Sequence, residues 1–470
     1  MKRFIIISVV LIIVASFTTA YIIAPASGKD NFIQAEHVSH SEGVKISVKQ
    51  NEKRVATYVA ANKDGGKLNM YEYILPETDG AIYEMKPNMG RSDFSAILSK
   101  LQPGDMVVFH AGEYDGVCAQ TTQSGTAGKP IIFTVYGDGQ VKLMNTDTGT
   151  NLWEIKGSHI VINGFEFSTT TNNAIIRIMG SDSGKKSENI TIANCYFSGS
   201  YNTNINANNS GMNINGIYLY NNYITGLNYT PLYFGEQDGN TVITNFVMDG
   251  NFIDGTNMVV EGTSYVGYGI ELKKNVVGAI IRNNYFVGTK GPGIMVYGAD
   301  DQTLINANIV ENNFVTGVRN SQGINIGAGP SVAKGNIVVA GANSGIYIQN
   351  YHNWNIMNNI QVTDNITINN KIDGINALNM LTTANGAVLA GNIVVKAENQ
   401  NGISVSENPG YAGWEGKNTI FDNELGYNEF TQMLSTRIPS TPELNQIAPL
   451  LKKSLGLQEK VDQIFIILGK

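Results

Sequence analysis

The chain has 470 residues, 51 of them glycine, with 42% apolar and only 15% charged side chains and a formal net charge of −7. That apolar content excludes a disordered chain, and the length suits either two or three ordinary domains or one long repeat array. The acidic balance argues against nucleic acid as a partner, because phosphate binding needs a basic footprint.

The N-terminus reads as a targeting segment. Lys2 and Arg3 precede an uncharged, mostly apolar run over 4–24, with small residues at Thr18, Ala20, Ala24 and Ala26 that suit cleavage. Residues 1–28 are therefore expected to be a signal peptide or, if uncleaved, a membrane anchor. Either way the body is secreted or extracytoplasmic, in the cell envelope, and touches a membrane only through that segment. Without Lys2 and Arg3, 30 basic residues face 39 acidic ones, a net charge of −9. Residues 29–90 carry weak strand signals and no clear assignment. Asp93–Leu101 has helical spacing with Ser92 as candidate N-cap and Pro103-Gly104 as a stop, which predicts an N-terminal cap helix. The two cysteines, Cys118 and Cys195, lie in different repeats; Cys195 reads as a buried thiol, and no zinc spacing exists.

A repeat organises the centre. Asparagine followed by alternating apolar residues recurs at Asn163, Asn194, Asn222, Asn251, Asn284, Asn313, Asn336, Asn365 and Asn392, at spacings of 31, 28, 29, 33, 29, 23, 29 and 27 residues. Such a period indicates a solenoid. A second phrase, Gly-Ile plus alternation, begins at Gly269, Gly293, Gly323, Gly345, Gly374 and Gly402. Two short strands per period without helical spacing predict an all-β fold: a single-stranded right-handed parallel β-helix over 91–430, of roughly nine to eleven coils. The asparagines suit sharp corners and coil-to-coil hydrogen bonds. Pro442-Glu443 opens a helical stretch, so 431–470 is expected to be a C-terminal helical cap or tail.

Two stretches, Leu101-Gln-Pro-Gly-Asp-Met-Val-Val-Phe-His-Ala-Gly-Glu-Tyr and Gly125-Thr-Ala-Gly-Lys-Pro-Ile-Ile-Phe-Thr-Val-Tyr-Gly-Asp-Gly, resemble the opening coils of the pectate-lyase-like superfamily. The nearest flavour is the alginate lyase and chondroitinase B family, with mannuronan C5-epimerases as relatives. With the repeats, the resemblance covers about Arg91 to Gly426. It implies a lysine base, an arginine on a neighbouring coil, and calcium held by acidic residues. Glu271 and Lys273 stand at a comparable place, and Tyr297 stands where that family would show arginine. The epimerase Asp-Pro-His-Asp signature is absent. Asn145-Thr-Asp147 and Asp300-Asp301 match polygalacturonases only in part, since Gly-His-Gly and Arg-Ile-Lys are missing.

Alternation sends Ile270 and Leu272 inward and Glu271 and Lys273 outward. Stacking the coils predicts an inward column of Ile270, Ile294, Ile324, Ile346, Ile375 and Ile403. It also predicts two outward ladders, Tyr233–Glu271–Met295–Asn325–Tyr347 and Gly235–Lys273–Tyr297–Gly327–Gln349, with rungs about 4.8 Å apart. The ladders suggest an elongated cleft for an acidic polysaccharide, with Gly235 and Gly327 leaving room. Lys273 and Tyr297 are the candidate base and acid, in either order. Tyr233, Glu271, Asn325, Tyr347, Gln349, His352 and Arg319 are candidate binding residues, and Glu236, Asp238 and Glu271 candidate calcium ligands. Asp300 and Asp301 form an acidic cluster. The plain structural alternatives are an exposed Glu271–Lys273 ion pair of small worth and a loop role for His352. The leading function is lyase or C5-epimerase chemistry on a uronate polymer, by a monomer. The alternatives are a glycoside hydrolase and a non-catalytic glycan-binding solenoid.

Overall fold

The computed structural model describes Tyr73 and residues 75–421, apart from short stretches at 148, 170–172, 199–201, 227–228, 260–266 and 398. The expected targeting segment, residues 29–72 and the tail at 431–470 lie outside the described residues. No described helix is long and apolar enough to cross a membrane.

Three parallel sheets run side by side through the described residues. Sheet A extends from Ile82–Met85 to Val388–Ala390, sheet B from Gly112–Asp115 to Thr419–Phe421, and sheet C from Trp153–Ile155 to Ile403–Val405. They hold 13, 12 and 10 strands. Each coil contributes one short strand to each sheet in turn, which makes the chain a parallel β-helix of about ten turns, as the repeats predict.

The predicted register holds. In sheet C, Ile270 pairs with Ile294, Ile294 with Ile324, Ile324 with Ile346, Ile346 with Ile375 and Ile375 with Ile403. All six face a continuous interior and are buried. Fully burying each such side chain contributes roughly 1.5–3 kcal/mol, so a one-residue slip would turn the whole column outward.

At the corner between sheets A and B, the two roles expected of asparagine fall on adjacent residues. The left-handed backbone falls on Asn221, Gly250, Asn283, Asn312, Gly335, Asp364 and Gly391. The next residue forms the ladder: Asn222, Asn251, Asn284, Asn313, Asn336, Asn365 and Asn392, with Asn418 as its last rung. Each Nδ2 donates to the Oδ1 one coil on, at 2.8–3.0 Å. The same Oδ1 accepts the backbone N–H of the preceding rung. Asn163 and Asn194 stand outside this column. Pairing of Ala193 with Tyr220 and with Asn163 puts Cys195 and Phe165 in the ladder position of those two coils. Cys195 is buried there, its backbone N–H donating to Asn222 Oδ1 at 3.0 Å. Cys118 is buried too, which pushes its thiol pKa up, and the two cysteines form no disulfide.

The cap helix α1 spans Arg91–Leu98. Ser92 does not cap it: Gly90 is the N-cap, and its N–H donates to Asp93 Oδ2 at 2.8 Å. Phe94 sits against Phe109, Phe133 and Trp153, at 5.8, 6.0 and 5.8 Å between rings, plugging the open first coil. Strand Ile82–Met85 precedes this helix and pairs with Met106–Phe109. The solenoid therefore begins ahead of residue 91, inside the stretch that sequence patterns left unassigned.

Candidate active site

The outward face of sheet C carries the site residues in the predicted order. Tyr233 pairs with Glu271, Glu271 with Met295, Met295 with Asn325 and Asn325 with Tyr347. One step beyond each strand, the backbone N–H groups of Lys273, Tyr297, Gly327 and Gln349 donate to Phe234, Leu272, Val296 and Ile326 of the preceding coil. Those bonds fix the second ladder.

Its centre is a buried ion pair. Lys273 Nζ lies 2.7 Å from Glu271 Oε1, with side chains 8% and 4% exposed. Tyr297 directs its hydroxyl at the same Oε1, at 3.4 Å. The ammonium lies 5.4 Å from the Tyr233 ring centroid and 5.0 Å from that of Tyr297. Burial pushes the Glu271 carboxyl above the usual range, opposed by the Lys273 charge and by hydrogen bonds from Lys273 and Tyr297. Burial, and then the Glu271 charge, push the phenols of Tyr233, Tyr268 and Tyr297 well up, so all three keep their protons at neutral pH. The pair is thus not the exposed surface bridge of the structural alternative.

Nor is the face an open cleft. Tyr297 and Met295 are fully buried, and Asn325 is buried with its Oδ1 lacking a hydrogen-bond partner. The turn at Tyr351–Asn353 and Trp354 lie over the centre: the rings of Tyr351 and Trp354 are 4.9 and 5.4 Å from Tyr297. The space at Gly235 and Gly327 is taken by the protein itself. A Cβ on Gly235 would meet Val276 Cγ2 at 2.9 Å and Lys273 Cβ at 3.1 Å. One on Gly327 would meet Met295 Cε and Tyr297 Cδ1 at 2.9 Å.

The other candidates separate. His352 is an exposed loop residue at φ 53°, its Nε2 2.9 Å from Gln237 Nε2. With Gln349, Asn350, Asn379 and Leu381 it lines an open hollow of about 420 Å³. Asn379 Nδ2 donates to the Tyr347 hydroxyl at 2.5 Å. Arg319 is no spare cation: its guanidinium donates to the carbonyls of Gly288, Gly255 and Met258 and ties three coils together. Asp300 pairs with Lys274 at 2.8 Å, and Asp301 closes its own loop by accepting from Thr303 N and Asn306 Nδ2. These two carboxylates do not face each other across a cleft. The calcium set does not fit either. Glu271 is bound by the Lys273 ammonium, Asp238 is exposed, Glu236 has one buried oxygen without a partner, and among the described residues no three acidic, histidine or cysteine side chains converge.

Sequence reasoning missed Tyr268, Tyr351, Trp354 and Lys274. Lys274 Nζ lies 5.7 Å from the Trp354 ring centroid and completes the cover. The aromatic run Tyr351-His-Asn-Trp354, directly after a Gly-Ile strand, was the available signal.

No family model matches the chain, and no curated protein matches its sequence. Solved structures of similar shape are an alginate lyase from Paenibacillus sp. str. FPU-7, a family 6 polysaccharide lyase from Pseudopedobacter saltans and the A-module of a mannuronan C-5 epimerase from Azotobacter vinelandii. Their identities are 16%, 15% and 12%, and their TM-scores 0.42, 0.42 and 0.41. The matches cover 70%, 73% and 68% of this chain and 99%, 93% and 86% of theirs.

Proposed function

We propose that the protein is an extracytoplasmic, carbohydrate-active β-helix that acts on an acidic, uronate-containing polysaccharide at the outer face of sheet C. The observation that carries this reading is the desolvated Lys273–Glu271 pair under a tyrosine cover. Solenoid faces normally keep ions in water. Burying two charges costs several kcal/mol that a structural role does not require, and such costs gather at functional sites.

The chemistry follows from the geometry. A carboxyl group pushed up by burial and 2.7 Å from an ammonium is placed to take its proton. The amine so formed is the base at C5 of a uronate. In an elimination the C5–H electrons become the C4–C5 double bond, the C4–O bond breaks, and the departing oxygen takes the Tyr297 proton. Return of a proton to the opposite face without cleavage gives the C5 epimer. In this scheme the Tyr297 hydroxyl, 3.4 Å from Glu271 Oε1, is the proton donor. Lys274 supplies a cation beside the pair to face the sugar carboxylate. The turn at 350–355 moves aside for the polymer; three of its non-glycine residues, His352, Asn353 and Asn355, already sit at positive φ.

The test is incubation with polymers of mannuronate, guluronate, galacturonate and glucuronate, read by ultraviolet absorbance of unsaturated ends and by NMR of C5 configuration. A product of either kind from one polymer supports the reading. The cover over Tyr297, which is 0% exposed, favours one alternative, a glycan-binding solenoid without catalysis. Binding without either product selects it.

A further inference from the structure

The second ladder does not begin at Gly235. The register carries it back through Asn208 and Met179 to Lys156, because Ala207 pairs with Phe234, Asn206 with Arg177 and Ile155 with Ile178. At that end lies a second open hollow, of about 410 Å³, whose lining includes Lys156, Asp182, Lys185, Asn208 and Ser210. Four coil steps separate Lys156 from Lys273, about 19 Å at the spacing of neighbouring strands.

This hollow is cationic in an acidic chain. Lys156, only 15% exposed, pairs with the exposed Asp182 at 2.5 Å. Lys185 donates to the Ser210 carbonyl at 2.6 Å. An ammonium has three donors, so each lysine has donors to spare. Arg177, one row over, donates through Nη2 to Asn209, while its Nε is buried with no hydrogen-bond partner. Asn208 Oδ1, on the hollow's wall, is likewise buried and unsatisfied; an amide turned about its last bond would offer its NH₂ there instead. Glu154, beside Arg177, is engaged by Gln120 and Asn151. The loop is built for this placement. Lys185 holds φ 53°, which non-glycine residues rarely adopt. It is fixed there by bonds from Lys185 N to Ser181 O and from Ser181 N to Lys186 O, both 2.8 Å. Gly180 permits the approach, since a Cβ there would lie 2.7 Å from the Lys185 carbonyl.

We propose that this hollow is a carboxylate-binding subsite for the acidic polymer, remote from the Lys273 centre and on the same edge of sheet C. The polymer then runs parallel to the solenoid axis, and Lys156, Lys185 and Arg177 hold a uronate several sugars from the reacting bond. The substrate class rests on the reading given under Proposed function; the cationic hollow and its unsatisfied buried atoms do not.

The test uses the full chain, immobilised alginate and polygalacturonate, neutral dextran as control, and the variant Lys156→Gln/Lys185→Gln. Loss of two charge-assisted contacts should weaken retention on the bound uronate polymer by about tenfold or more and flatten its salt dependence, with melting unchanged. Lys334→Gln/Lys371→Gln, which removes two exposed charges elsewhere, should change it less than about twofold. Lys185→Gln alone, at an exposed side chain, repeats the test if the double variant folds poorly. On turnover, KM should rise for long polymer and stay constant for oligomers too short to span about 19 Å. Wild-type retention by the double variant, or equal loss in the control pair, overturns the subsite. Normal turnover with unchanged KM for long polymer sinks the subsite alone. A wild-type protein that neither binds nor converts any uronate polymer sinks the subsite and the proposed function together.

Discussion

The asparagine corner is a row of buried polar side chains and the outer face of sheet C a row of buried and half-buried, mostly polar ones, yet the two are built in opposite ways. At the corner every rung from Asn222 to Asn418 is the same residue, and from Asn251 on each Oδ1 accepts both a backbone and a side-chain N–H of its neighbour. Identical groups stacked at one spacing satisfy each other, so the row needs nothing from outside. On sheet C the rungs differ: Glu154, Arg177, Asn206, Tyr233, Glu271, Met295, Asn325, Tyr347. Mixed rungs leave Arg177 Nε, Asn206 Oδ1 and Asn325 Oδ1 buried and unsatisfied. A repeated polar row is architecture. A varied one that leaves hydrogen-bonding capacity unused marks where a ligand is read.

Four substitutions sharpen that contrast. Lys273→Met leaves Glu271 buried without its counter-charge and should cost about 3–5 kcal/mol in chemical denaturation, whereas Glu271→Gln/Lys273→Met should recover most of it. Equal losses in the single and double variants would mean the pair is not coupled. Asn284→Ala should cost about 2–4 kcal/mol, because Asn251 N and Nδ2, Met248 O and Asn313 Oδ1 all lose a partner. Asn325→Ala, on the sheet C row, removes an already unsatisfied oxygen and should change stability by less than about 1 kcal/mol. A large loss there and a small one at Asn284 would invert the comparison.

A smaller effect concerns pH. The folded-state pKa of Glu271 is raised above its usual 4.5. Its stabilising contribution is therefore complete below that value and is lost as pH rises through the raised one. Relative to Glu271→Gln, the wild type should lose stability as pH climbs from below 4.5 toward neutrality; parallel pH profiles would contradict the burial of this carboxyl. A modest effect is expected at the cover. Trp354→Ala should cost about 1 kcal/mol and speed modification of Lys273 by an amine reagent, followed by peptide mapping.

The repeating parts were the legible parts. Gly-Ile phrases set the register of sheet C to the residue, because a period-2 strand has only one way to bury isoleucine. Dipeptides such as Gly250-Asn251 and Asn312-Asn313 already displayed the split between turn and ladder, but counting single asparagines hid it and drew in Asn163 and Asn194. The Lys273–Glu271–Tyr297 constellation followed from register alone. Its burial did not, since the cover comes from Tyr351 and Trp354, in a loop outside the repeat. Arg319 was misjudged for the same reason: its partners are carbonyls, which carry no sequence signal.

The central claim is that Tyr297 and Lys273 carry out proton transfer on a uronate polymer. Tyr297→Phe tests it most directly, because the substitution keeps the ring that packs against Tyr351 and Trp354 and removes only the hydroxyl directed at Glu271. On the polymer that the wild type converts, the variant should melt within a few degrees of the wild type, bind normally, and turn over about 10²-fold or more slowly. A folded Tyr297→Phe protein with wild-type turnover would contradict the account.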